Sequence, residues 1–379
     1  MPKKKKTILI APNSFKECAD SVTIANLIEK NLKKLSDYFL IKKPISDGGD
    51  GFLEVCKINY GLKIIKYKIS TPYDNTKILC EVGYDEKNKI VFVESANVLG
   101  LKVIPEPRRH PVKLSSKGFG DLLLALKKDI ESNKIFVDKV IVGIGGTGIN
   151  DLGLGMCSRF GLKLYNKFNE ELEIIPENFS KATRIVWNKI KLPFKINVLT
   201  DVENPLLGKK GATRTFGKQK GLTDNEIAKI EIGFNKIANL LKNNKIYDPS
   251  KELSGAGGGL AAGFQIFFNA DITQSFQFIS KIIKSDIINS ADIVITGEGA
   301  FDSQSLMKKA TGSILQVFNS RHIPIFLCCG KIDRKIIGSL NIIKPIQLID
   351  YFDNEKDAIK HYKKGLELAC SEIINVIGN

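Results

Sequence analysis

Three glycine-rich turns, each following an apolar run and each carrying acids, hold the residue types this chain could use for chemistry. In the stretch 291–313, ADIVITGEGAFDSQSLMKKATGS, Gly297 and Gly299 flank Glu298, and Asp302 and Ser303 follow. Glycine lets a backbone turn sharply and approach a ligand, while two carboxylates at one turn can hold a metal ion or take a proton. A helix-capping Glu298 beside a solvated Asp302 would leave the same pattern. The second turn, Ser46-Asp47-Gly48-Gly49-Asp50-Gly51, packs two acids and three glycines into six residues. Asp47 suits orienting a metal or accepting a hydroxyl proton, and Asp50 suits capping the helix that follows. The third, 143–151, GIGGTGIND, reads as a phosphate or substrate cradle at Gly145, Gly146 and Thr147, with Asn150 and Asp151 available to a metal or a hydroxyl. A tight turn that only packs a helix closely is the alternative there.

Cations and further small residues stand at comparable places. Ser14 and Lys16 lie in the turn Pro12-Asn13-Ser14-Phe15-Lys16, where a hydroxyl and an ammonium could hold an anion near a helix start, although Lys16 also reads as one surface lysine among many. Asp201 ends the apolar run 196–200, Asn204 follows, and Arg214, Lys218, Gln219 and Lys220 precede a helical pattern over 224–242. Acids beside cations in one connection are what a metal–nucleotide site requires, and a solvated charge run has the same composition. The segment 254–263, with Gly255 and Gly257, is too glycine-dense for an ordinary helix start and could admit a phosphate or let backbones pack closely. No G-x-x-x-x-G-K-[ST] occurs, which excludes a P-loop kinase. Gly143, Gly145 and Gly148 satisfy G-x-G-x-x-G, so an NAD(P)-dependent oxidoreductase is a rival reading. The ribose-binding acid expected about 20 residues on would be Glu170 or Glu171, which lie in a polar segment rather than at a strand end.

The elements that must carry these turns alternate. Runs 7–11 and 40–46 read as strands, and Val22, Ala25, Ile28, Leu32 and Leu35 repeat at helical spacing between them, the opening of a doubly wound domain. The run 292–296 reads as a strand buried on both faces of a parallel sheet. Runs 77–84 and 89–95 read instead as a hairpin, so a second, mixed α/β domain begins there, and the earlier rhythm resumes with strands at 323–328 and 346–349. At 379 residues and 43% apolar content the chain can bury two cores, placed at 1–73 with 272–379 and at 74–271. The net charge of +16 comes from scattered lysines without interleaved aromatics, which argues against nucleic acid and for a surface that draws anionic substrates. No apolar run is long enough to span a membrane. Seven cysteines without C-x-x-C spacing read as reduced thiols of a cytoplasmic protein, and with three histidines, none in a glycine turn, any general base is expected to be a carboxylate. A homo-oligomer is compatible with the sequence, which does not fix the oligomeric state.

The blocks APNSFK, SDGGDG, GIGGTGIND, TDVENPLLG with FGKQKG, SGAGGG and VITGEGAFDSQS, in this order and nearly end to end, resemble the bacterial type I glycerate kinase family. The resemblance implies ATP-dependent phosphorylation of D-glycerate, with 2-phosphoglycerate rather than 3-phosphoglycerate as product. It also implies a discontinuous Rossmann-like parallel-sheet domain, a second, inserted mixed α/β domain, and an active site in the cleft between them. On this reading the cofactors are ATP and Mg²⁺. Asp47 or Asp201 orients or deprotonates the glycerate hydroxyl, Lys16 and Lys220 stabilise phosphoryl or carboxylate charge, and Glu298 with Asp302 serves the metal or the nucleotide. The chain departs from the family pattern at Asn13, where Asp is usual, at Asp50, where Glu is usual, and at Ala300, where Arg is usual. Loss of that guanidinium keeps a non-catalytic hydroxy-acid-binding regulator as a second rival reading.

Overall fold

The structure is a computed structural model that describes residues 5–16, 18–248, 250–306, 309–338 and 340–378. The chain divides into two compact units, one formed by Met1–Asn59 with Gln274–Asn379 and the other by Tyr60–Thr273.

The first unit is built on a five-stranded sheet in the order Ile342–Gln347, Ile325–Cys329, Ile293–Thr296, Lys6–Ile10, Tyr38–Lys42. All four pairings are parallel. Ile293–Thr296 is buried along its whole length between two parallel neighbours, which is why its sequence is unbroken β-branched residues rather than an alternation. The helix Ser21–Leu32 starts where Asp20 accepts a hydrogen bond from the Thr23 amide at 2.8 Å. Its stripe of Ile24, Ala25, Ile28 and Leu32 shares one core with Leu366, Ala369, Cys370 and Ile373 of the helix Tyr362–Gly378. Strand order reverses between Lys6–Ile10 and Ile293–Thr296. From that point the early strands run to one side of the sheet and the late strands to the other, leaving diverging turns at the carboxyl ends.

The second unit holds a six-stranded mixed sheet in the order Asp271–Gln274, Lys195–Thr200, Lys139–Gly143, Ile90–Glu94, Lys77–Asp85, Lys63–Ser70. The three central strands are parallel, and the hairpin strands add to them antiparallel. A separate three-stranded sheet comprises Glu171–Leu172, Lys163–Tyr165 and Arg184–Val186. The expected boundaries after residue 73 and before residue 272 shift. Lys63–Ser70 pairs residue by residue with Lys77–Asp85, which draws it into the second unit, and Asp271–Gln274 forms the opposite edge of that sheet. None of the seven cysteines is in a disulfide. Among the described residues, no helix is long and apolar enough to cross a membrane.

The turn after Ile293–Thr296 is locked by close backbone packing. A Cβ added at Gly297 would lie 1.6 Å from the Cys328 carbonyl oxygen, and one at Gly330 would lie 2.4 Å from the Gly299 carbonyl oxygen. Backbone cannot yield as a side-chain tip can. Gly297→Ala is therefore expected to destabilise the protein by about 3 kcal/mol or more in urea denaturation. Gly338→Ala, whose Cβ meets nothing within 4 Å, should stay within about 0.5 kcal/mol of the parent.

Candidate functional site

In the first unit, three turns meet at the point where strand order reverses. Beyond Ile10 the chain stays laddered, with the Ala11 amide donating to Ile295 O at 2.8 Å and the Asn13 amide donating to Gly297 O at 2.8 Å. On the other side the Ile45 amide donates to Pro12 O at 3.0 Å, which carries the Asp47 turn alongside. Asp47 Oδ2 accepts from Asn13 Nδ2 at 2.6 Å, and its Oδ1 accepts from the Ala310 amide, also at 2.6 Å. Ala310 is the first residue of the helix Ala310–Asn319, so the carboxylate faces the positive end of a helix dipole. Burial pushes the Asp47 carboxyl up from the ordinary carboxylate range. The Ala310 amide, the Asn13 amide, Lys309 and Lys16 each pull it back.

Glu298 is 9% exposed, and burial together with the Asp47 charge lifts its carboxyl to about 7. The hydroxyls of Thr311 and Ser305 lean toward it and offset part of that rise. They stop short of hydrogen-bond geometry, for Glu298 Oε1 and Thr311 Oγ1 are buried with no partner. Asp302, by contrast, is exposed, and its Oδ1 accepts from the amides of Gln304 at 2.8 Å and Ser305 at 3.2 Å. The two acids thus divide opposite to the bland sequence reading: Asp302 caps the turn and Glu298 is the buried group. Lys16 is exposed, Ser14 is half-buried, and Ser303 is exposed. Gly48 takes φ 92°, and its amide donates to Ser46 Oγ at 3.1 Å, while Gly49 lies beside it in the same turn. Gly299 closes on the first turn, where an added Cβ would come within 2.9 Å of the Lys16 amide nitrogen. Ala300 is exposed, in register with the exposed Lys331 of a short parallel pair.

In the second unit, Asp151 is fully buried and its oxygens are spent on structure. Oδ2 accepts from the Ser116 amide at 2.6 Å, Ser116 Oγ at 2.8 Å and the Gly155 amide at 3.1 Å, and Oδ1 accepts from the Gly153 amide at 3.1 Å. Burial raises its carboxyl against those donors. It fixes the start of the helix Lys117–Glu131 against the glycine loop instead of standing free for a metal or a hydroxyl. Asn150 Nδ2 donates to Thr213 Oγ1 at 3.0 Å, and Asn204 Nδ2 donates to Lys210 O at 2.8 Å, so both tie loops together. The Gly145 amide donates to Ser95 Oγ at 3.2 Å, and Gly146 takes φ 62°. Gly255 and Gly257 belong to a loop packed onto this one. A Cβ at Gly255 would sit 2.6 Å from Pro205 O, and one at Gly257 would sit 2.7 Å from the Ile144 side chain.

Lys220 is the cation that the second unit turns inward. Its Nζ donates to Ile149 O at 2.7 Å and lies 3.4 Å from Thr147 Oγ1. Burial lowers its ammonium to about 8, and the Asp151 charge only partly restores it. The neighbouring cations face other tasks, since Arg214 pairs with buried Glu231 at 3.2 Å and Lys218 pairs with Asp224 at 2.9 Å. Gln219 is exposed, and Asp201 is half-buried just past the strand Lys195–Thr200. The G-x-G-x-x-G match does not open a helix. After Lys139–Gly143 the chain runs as a loop to the five-residue helix Leu154–Ser158, which removes the helix-start geometry a dinucleotide fingerprint needs.

Among the described residues, no group of three or more histidine, cysteine or acidic side chains is arranged to hold a metal. Mg²⁺ commonly needs only one or two carboxylates beside phosphates and water, and the unpartnered Glu298 Oε1 fits that role, with Asp302 nearby in sequence. Sequence reasoning passed over Asn13, Ala310, Thr311 and Ser116 as functional residues. Asn13 was visible only as a departure from a family pattern.

Comparison with known proteins yields consistent matches. The family described as "Glycerate kinase family" matches residues 8–378. A glycerate kinase of Halalkalibacterium halodurans is 30% identical over 86% of each chain. A glycerate 2-kinase of Escherichia coli is 29% identical, covering 86% of this chain and 85% of that one. A crystal structure from Salmonella typhimurium LT2, provisionally described as glycerate kinase 2, superposes with a TM-score of 0.78 at 25% identity, covering 99% of this chain and 98% of its own.

Two measurements separate structural from chemical acids. Glu298 titrates at about 7 when folded against 4.5 for the free side chain, so the folded state holds the extra proton between those values. Stability is therefore lost as pH rises from about 4.5 through about 7, by about 3 kcal/mol in total. With EDTA present, Glu298→Gln should match the parent at pH 4.5 and exceed its denaturation midpoint at pH 8. Asp151→Ala strands four buried donors, and thermal melts should show a loss of about 3–5 kcal/mol.

Proposed function

The chain belongs to the glycerate kinase family and is a kinase, and we propose that it transfers the γ-phosphoryl group of ATP to the 2-hydroxyl of D-glycerate with Mg²⁺ present, giving 2-phosphoglycerate and ADP. The observation that carries the assignment of roles is the Asp47 carboxylate, held by two donors at 2.6 Å at the carboxyl ends of the diverging strands. The choice of 2-phosphoglycerate draws support from the similarity to the Escherichia coli glycerate 2-kinase.

Phosphoryl transfer asks little covalent chemistry of a protein. The glycerate oxygen forms a bond to the γ-phosphorus as the bond to the β,γ-bridging oxygen breaks, the bond electrons leave with ADP, and the hydroxyl proton goes to Asp47. The upward displacement of that carboxyl favours its acting as a base near neutral pH. Asp47 is assigned this role because the Asn13 and Ala310 amides fix its orientation from both oxygens. Lys16 and Lys220 are the cations proposed to stabilise phosphoryl or carboxylate charge. Glu298, with Asp302, would hold Mg²⁺, which when bound neutralises phosphate charge.

A coupled ATPase assay over a panel of hydroxy acids, with phosphorus NMR of the product, tests the reaction directly. Turnover with D-glycerate and a signal for phosphate on carbon 2 are expected; 3-phosphoglycerate would overturn the regiochemistry and no turnover would overturn the reading. Asp47→Asn should lower kcat by about 10²–10⁴ with a small change in KM. The Lys220 ammonium is charged below about 8, so kcat/KM should fall as pH rises past that value. Lys220→Arg should move that fall to higher pH, and Lys220→Met should lower kcat/KM at every pH.

A further inference from the structure

We infer that Lys331 stands in for the cation this chain lacks at position 300, its ammonium binding the phosphate groups of the nucleotide beside the Glu298 turn. This rests on the reading of that turn as the metal and nucleotide site of a kinase. The two positions are joined through backbone. Ala300–Phe301 pairs in parallel with Lys331–Ile332, Ala300 in register with Lys331 and Phe301 with Ile332. Neighbouring strands lie about 4.8 Å apart, and successive side chains along each point to opposite faces. Phe301 and Ile332 are buried, whereas Ala300 and Lys331 are both exposed, so one pair faces inward and the other outward. A long side chain at 300 and one at 331 would therefore rise side by side from the same face. With only a methyl group at 300, the space above it is open to the four-carbon stem of Lys331.

The pair is held close to the acids of the turn. The Gly330 amide donates to Glu298 O at 3.1 Å, the Lys331 amide to Gly299 O at 3.0 Å and the Asp333 amide to Phe301 O at 2.9 Å. Gly299 is also the residue that closes on the Lys16 backbone, so two lysines from opposite ends of the chain converge on one glycine. Among the described residues, no ion pair or hydrogen bond engages the Lys331 ammonium. Its charged neighbours are committed elsewhere. Arg334 pairs with Asp350 at 2.9 Å, Asp333 Oδ1 accepts from the Lys335 amide at 3.1 Å, and Asp302 Oδ1 accepts from the amides of Gln304 and Ser305. A metal ion on Glu298 and Asp302 would leave the nucleotide's outer phosphate oxygens with uncompensated negative charge, and a free ammonium beside that turn meets it. An arginine at 300 would grip two oxygens at once from a fixed fork. A lysine acts as a mobile point charge, which allows it to serve from the neighbouring strand.

The test uses the full-length protein. Calorimetry with ADP and Mg²⁺, which reads binding without turnover, is paired with steady-state kinetics for ATP and D-glycerate. K331M should weaken nucleotide binding roughly 10–100-fold and raise KM for ATP to a similar degree, with KM for D-glycerate within about twofold. A300R placed in K331M should restore nucleotide binding to within about fivefold of the parent, whereas A300R alone should change it by no more than about threefold. K356M, which removes another exposed charge from the same unit, should leave binding within about twofold. K331S takes the place of K331M if thermal melts show that K331M does not fold. Parental nucleotide binding by the folded variant overturns the inference. So does a loss that A300R fails to reverse, a gain from A300R that is equal with and without Lys331, a loss matched by K356M, or a weakening confined to D-glycerate. A parent that binds ADP and Mg²⁺ but turns over no D-glycerate overturns the kinase reading alone, and the binding measurements still decide the role of Lys331. A parent that binds no nucleotide overturns both.

Discussion

The parallel pairing of Lys6–Ile10 with Ile293–Thr296 is the interaction on which the first unit depends. It joins segments 285 residues apart, and it is where the strand order turns around. Neighbouring strands whose onward connections go to opposite sides leave their carboxyl-end turns uncovered by a crossover helix. The Asn13 and Glu298 turns occupy that opening, and the Asp47 turn is drawn in beside them by the Pro12 to Ile45 hydrogen bond. Glycine at 297 and 299 is what allows the two central turns to close on their neighbours, since a methyl group at either position would run into backbone.

Burial and hydrogen bonding then decide what each acid can do. Desolvation raises the carboxyls of both the half-buried Asp47 and the fully buried Asp151, yet one keeps capacity for a ligand and the other does not. Asp151 accepts four hydrogen bonds from Ser116, Gly153 and Gly155, which makes it a clamp. Asp47 accepts two and is aimed by them. Glu298 is at the far end of this scale, a buried acid with an unpartnered oxygen, and an atom of that kind is retained in a folded protein at a cost in stability. Lys220 mirrors it among the cations, an enclosed ammonium satisfied by a carbonyl rather than by a carboxylate.

Much of this was legible in the sequence because it follows from backbone requirements. Unbroken β-branched runs marked buried parallel strands, and glycine clusters marked turns of close approach; the turns at 47, 143–151 and 297–299 lie where those signals put them. What the sequence concealed was the partner of each polar group, which depends on contacts between distant segments. Nothing local distinguishes Asp302 from Glu298, and only the fold shows that one caps the turn while the other is sealed in. The domain boundary slipped for the same reason, since the run 63–70 reads equally well as a third strand of the first sheet. Its assignment is settled by an antiparallel partner just beyond the turn at 71–76.

The sheet of the first unit also sets an order of events during biosynthesis. Its strands Lys6–Ile10 and Tyr38–Lys42 leave the ribosome early, while their partner at Ile293–Thr296 follows only after the whole of Tyr60–Thr273 has been made. At common elongation rates that interval is on the order of tens of seconds. The interrupting unit has every strand of its own sheet within one continuous segment, so it can fold while the opening strands wait with an unsatisfied edge. The lysines at the ends of those two strands, Lys5 and Lys6 at the start of one and Lys42 and Lys43 at the end of the other, are well suited to that interval, because like charge discourages two nascent chains from pairing edge to edge.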